Sequence, residues 1–150
     1  MKSLFNTEVH TEILARTNQL TESSHGLWGK MTVGQMLCHC QFPLKIALGD
    51  HGNFKKVNPL MKLLMKSFKK SMYDDKPWRQ NLPTAKDLKV TDDKDFSSEK
   101  KKLIKLIDDF HQQKDKKVWD PHPVFGTFTH EQWGQMQYKH LDHHLRQFGV

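Results

Sequence analysis

The stretch TVGQMLCHCQFPLKIALGD, residues 32–50, constrains the fold of this 150-residue chain more than any other. Laid on a helix at about 100° per residue, it is apolar on nearly every side. Gln35, His39, Gln41 and Lys45 are its main interruptions. A helix with no wet face belongs in the middle of a bundle. Its start is also legible. Thr32 followed by Gln35 fits a capping box, in which the hydroxyl accepts the Gln35 amide and the Gln35 side chain reaches back. Gly49 is placed to stop the helix after about Leu48. Pro43 lacks an amide hydrogen and is expected to kink or divide it.

The other segments repeat the helical period. Residues 7–20 carry Val9, Ile13, Leu14 and Leu20 on one side, with Asn6 or Thr7 as cap. NPLMKLLMKSFKKSM reads as an amphipathic helix with Pro59 in its first turn. FSSEKKKLIKLIDDFHQQ reads as another, capped by Ser97 or Ser98, with Leu103, Ile104, Leu106, Ile107 and Phe110 on its apolar face. The last, THEQWGQMQYKHLDHHLRQFG, is the clearest: Thr129 with Gln132 repeats the capping box and Gly149 ends it. Residues 73–95 carry two prolines and many turn formers, so a long irregular loop is expected there, a place where function often sits. No segment alternates as a strand would. The expectation is an all-α, four-helix bundle forming one domain over residues 1–150.

No apolar run approaches the roughly 18–20 residues needed to span a bilayer, and residues 1–14 show no secretion-type apolar region. A cytoplasmic protein with no membrane partner is the default expectation. Cys38 and Cys40 are too close for an ordinary disulfide and wrongly spaced for a zinc ribbon, so both read as reduced thiols. The net charge is +7, yet all but three of the 24 basic residues are lysine. Base readout and bidentate phosphate recognition favour arginine. A solvated lysine-rich surface is therefore favoured over a nucleic-acid partner, which is not expected.

Ten histidines are the chemical oddity. On the last helix, Trp133, Met136, Leu141, Leu145 and Phe148 define an apolar arc. His140 and His144 fall inside it, one turn apart, and His143 falls on its flank. An i, i+4 pair can turn two imidazole nitrogens toward one ion. Chance pairing and hydrogen-bonded core histidines give the same pattern. The best third ligand by position is His39, the one ionisable imidazole in MLCHCQF; a histidine bonded to a neighbouring helix is the alternative there. Cys38 and Cys40 point about 100° away from His39 and are poor ligand candidates. Leu141 stands where a His-Glu-x-x-His protease keeps its glutamate, which argues against that chemistry. His10, His25, His51 and His111 read as surface, and His122 and His130 as local packing. Trp28 and Trp133 are candidate pocket walls, although tryptophan in a bundle is more often plain core.

WGKMTVGQMLCHC and HPVFGTFTHEQWGQMQYKHLDHHLRQFGV together resemble a bacterial family of unknown function in the DinB-like (YfiT-like) superfamily. The likeness is strongest over residues 28–48 and 121–150. It implies an up-down-down-up four-helix bundle. It also implies a site of one histidine on the second helix and a His-x-x-x-His pair on the last, here His39, His140 and His144. Zinc or nickel binds at that site in some members. Some are transferases that use low-molecular-weight thiols, and many have no known activity. A homodimer is usual among relatives, though no seam shows in this sequence. Two functions stay open: a metal-dependent thiol S-transferase or hydrolase acting on a small-molecule substrate, and a non-catalytic bundle that binds a metal or small ligand.

Overall fold

The computed structural model describes residues 1–50, 59–84 and 88–150. Five α-helices follow in order: α1 Thr7–Gln19, α2 Val33–Ala47, α3 Pro59–Lys66, α4 Phe96–His111 and α5 His130–Gln147. Four of them, α1, α2, α4 and α5, pack as a bundle in which α1 and α2 each touch both α4 and α5. No strand occurs among the described residues; an isolated bridge pairs His122 with Gly126. Among them too, no helix is long and apolar enough to cross a membrane.

Both capping boxes form. Thr32 Oγ1 accepts the Gln35 amide at 3.2 Å and Gln35 Oε1 accepts the Thr32 amide at 3.0 Å. Thr129 and Gln132 repeat the pair at 3.2 and 3.0 Å. Helix α2 runs undivided through Pro43, and ten of its fifteen residues are buried, as its all-round apolarity requires. Two boundaries differ from expectation. The cap of α4 is Asp95, whose carboxylate accepts the Ser98 amide at 2.7 Å, so Ser97 and Ser98 lie inside the helix. Helix α3 stops at Lys66, and a separate 3-10 turn follows at Lys69–Met72.

Named contacts fix the helix directions. The Leu4 amide donates to Gly134 O at the start of α5, and Arg16 reaches Asp142 and the Val150 carbonyl at its end, so α1 and α5 run parallel. Lys100 donates to the carbonyls of Asn18 and Leu20, while His111 meets the Leu4 carbonyl, so α4 opposes α1. Gly34 lies against the Lys94 carbonyl and Gln41 donates to Glu99 at 2.6 Å, so α2 and α4 run parallel. Gln137 donates to the Pro43 carbonyl and Gln147 to that of Trp28, so α5 opposes α2. The course is up, down, down, up. Two successive parallel helices need a return path as long as the helix, about 22 Å for fifteen residues, and residues 48–95 supply it.

The core is continuous through the bundle. Leu37, Leu44, Leu103, Ile107, Leu141 and Leu145 are almost fully buried, with Leu4 and Leu20 closing the two ends of α1. An aromatic cluster within it, Phe5, Phe110, Trp119, Trp133 and Phe128, gathers near the start of α5.

Candidate metal centre

Helices α2 and α5 pass each other with one histidine of α2 opposite two of α5. The rings of His39, His140 and His144 form a compact triangle, with centroid separations of 5.1, 4.8 and 4.8 Å. All three side chains are buried. One ligand nitrogen from each lies within 4.8 Å of the others, the group that could hold a metal ion among the described residues. The closest approach is His140 Nε2 to His39 Nε2 at 3.2 Å. Two nitrogens on a tetrahedral zinc ion stand about 3.3–3.4 Å apart, so this pair already has the required spacing. Side-chain rotation of His144 has to close the remaining gap.

The far nitrogens are held. His39 Nδ1 faces the Leu88 carbonyl at 3.1 Å, and His144 Nδ1 faces Gln147 Oε1 at 2.8 Å. Both partners are pure acceptors, so each Nδ1 keeps its proton and each Nε2 presents a lone pair. Gln147 is itself tied, its amide donating to the Trp28 carbonyl at 2.8 Å. His140 differs: its Nδ1 is buried with no hydrogen-bond partner among the described residues. A buried imidazole nitrogen without a partner is costly, which suits a group whose binding energy comes from elsewhere.

Burial keeps the three imidazoles neutral. It pushes His144 down to about 3, with the neighbouring His39 adding to the effect and the Gln147 bond opposing it. His140 is driven well below its ordinary value by burial and then by His144 and His39. His39 is lowered by burial, with the Leu88 carbonyl pulling the other way. Neutral imidazole is the metal-binding form, so the donor set fits a divalent ion of the zinc type.

Other residues fall into place around this triangle. His143 is buried rather than merely flanking, because two loop tryptophans cover it: Trp78 at 5.6 Å and Trp28 at 6.0 Å between ring centroids. Trp78 also stands edge-on to His140 at 6.0 Å. Lys139 secures the loop that carries Trp78. Its buried ammonium donates to the Ser71 carbonyl at 2.7 Å and to Asp74 Oδ1 at 2.5 Å, while the Trp78 indole donates to the same Ser71 carbonyl.

The sequence reading did not single out Trp78, Lys139, Gln147 or the Leu88 carbonyl. A lone large aromatic in a polar loop, and a glutamine one turn past His144, were the available signals; a backbone carbonyl offers none. Trp133 is not brought to the histidine triangle. Its ring packs among Trp119, His122 and Phe128 at the other end of α5, about two helical turns from His140.

Cys40 is buried and its sulfur lies 3.6 Å from that of Met36; Cys38 is half-buried. Burial pushes both thiols up, and neither joins the histidine group. Asp142 is engaged by Arg16 and Arg146, each at 2.9 Å. His10 and His111 are half-buried and stack at 4.1 Å, with His10 bonded to Asp108 and His111 to the Leu4 carbonyl. His51 lies outside the described residues.

The family model described as "Protein of unknown function (DUF1569)" matches residues 2–149. The chain belongs to the DUF1569 family. A search of curated proteins finds no match for this DUF1569 chain, and neither does a search of solved structures. The triangle of histidines therefore has to be read from its own chemistry.

Proposed function

We propose that this DUF1569 protein binds one divalent metal ion, zinc or nickel, through His39, His140 and His144, in a site of the DinB-like type. The observation that supports this most is the convergence of three buried neutral imidazoles, two of them with the far nitrogen held by an oxygen acceptor. Three protein ligands would leave a fourth position for a small molecule, and a zinc-type ion held there would lower the pKa of a bound water or thiol.

The residues favour thiol transfer over hydrolysis. Hydrolysis through a metal-bound hydroxide would still call for a side chain that moves a proton to the leaving group. The nearest carboxylate on α5, Asp142, is bound to two arginines on the outer face. A thiolate attacking an electrophile whose leaving group departs as a stable anion needs no such side chain. Trp78 and His143 supply an aromatic wall beside His140. The substrates of this reading are a low-molecular-weight thiol and a small electrophile.

The test is elemental analysis of protein purified without a metal-affinity tag, beside His39→Ala, His140→Ala and His144→Ala. The expected result is about one ion per chain in wild type and loss in each variant. Full retention by all three variants sinks the site. Metal-loaded and chelator-stripped protein are then assayed with a low-molecular-weight thiol and a chromogenic electrophile. Metal that persists without turnover selects the non-catalytic metal-binding bundle.

A further inference from the structure

The segment between α2 and α4 presents exposed apolar side chains. On α3, Leu60 is 73 % exposed and Leu63 64 %, and Phe68 just beyond is 54 % exposed. Leu60 and Leu63 are one turn apart and share a face. The sequence from Phe54 to Tyr73 holds six lysines and no acidic residue. Lys66 and Lys70 are exposed beside the apolar side chains. The strip is fastened to the bundle at its far end. Lys69 donates to the Thr127 carbonyl and lies 4.9 Å from the Phe128 ring centre, and Lys139 holds the Ser71 carbonyl. Leucines turned outward beside a fastened segment form a presented surface.

We propose that this α3 surface docks on an anionic lipid bilayer. Two leucines and a phenylalanine amid flexible ammonium groups match the interface of such a membrane: the apolar side chains enter the headgroup boundary and the lysines pair with lipid charge. Duplex nucleic acid would satisfy the lysines and leave the leucines in water. A second copy would cover the leucines and bring two sets of lysines together. Of these three partners, the lipid surface is the one that accounts for both halves of the pattern. This revises the expectation of no membrane partner, which rested on the lack of a spanning segment, and it is independent of the metal site.

Co-sedimentation with vesicles tests it. The protein is expected to pellet with equimolar phosphatidylglycerol and phosphatidylcholine at low salt, to stay in solution with phosphatidylcholine alone, and to be released by high salt. The Lys66→Gln/Lys70→Gln pair should weaken binding by about 30-fold. Leu63→Ser with Phe68→Ser should abolish it with helicity and melting temperature unchanged. Absence of pelleting at low salt overturns the proposal. So does binding to neutral and anionic vesicles alike. A concentration-dependent dimer broken by Leu63→Ser, or nucleic-acid binding, in protein that ignores vesicles would give the surface to those partners instead.

Discussion

An imidazole offers a metal-ready nitrogen only while its other nitrogen keeps the proton. His144 meets that condition through one side chain, Gln147, whose oxygen lies 2.8 Å from Nδ1. The same residue anchors residues 27–28. Its backbone carbonyl accepts the Leu27 amide at 2.7 Å and its side-chain amide donates to the Trp28 carbonyl. The two roles separate by substitution. Gln147→Glu keeps an acceptor for His144 and loses the donor to Trp28; Gln147→Met loses both. Metal affinity, read by competition with a chromophoric chelator, should fall by about 10–100-fold in Gln147→Met and much less in Gln147→Glu. Equal losses would show that loop docking, not the His144 tautomer, is what Gln147 supplies. His144 itself was legible from the helical wheel because the period alone places it. Gln147 was not, because a buried glutamine at the end of a polar helix looks the same as a solvated one.

At the scale of elements, the site exists because α2 and α5 meet at one height, and that height is set at the helix starts. The capping boxes at Thr32 and Thr129 were readable, since a cap needs only four adjacent residues. The cap of α4 was misplaced within a run of three cap formers, Asp95, Ser97 and Ser98, among which local preference scarcely discriminates. The early end of α3 was equally hidden, for SFKK continues the helical pattern. Tertiary contact decides such cases. The clearest is Gly34, where an added Cβ would run into the Lys94 carbonyl just before α4. Backbone cannot yield as a side-chain tip can. Gly34→Ala should therefore cost about 1–3 kcal/mol, read from urea midpoints. An unchanged midpoint would mean that α2 and the start of α4 do not lie so close.

At the scale of the molecule, periodicity predicts four bundle helices and is silent on their order. The up-down-down-up course rests on contacts between residues far apart in sequence, such as Gln41 with Glu99 and Lys100 with the end of α1. In the sequence only the family resemblance carried it. The price of the site is also borne by the whole fold, because folding buries its histidines uncharged. The unfolded chain takes up a proton on each histidine below about pH 6.5. Folded His144 resists protonation until about pH 3. Between those values the unfolded state binds more protons, so unfolding free energy falls as pH falls. For His144 alone the loss from pH 7 to pH 5 is about 2 kcal/mol. His39 and His140 are lowered as well and act in the same direction. Metal-free wild type should thus lose more stability over that interval than His144→Ala, by about 2 kcal/mol in paired urea titrations. Metal-loaded protein is expected to hold its stability further into acid, until protons displace the ion from the imidazoles. Parallel pH slopes for metal-free wild type and His144→Ala would mean that His144 is not held neutral in the folded bundle, and the donor set would lose the member that completes it.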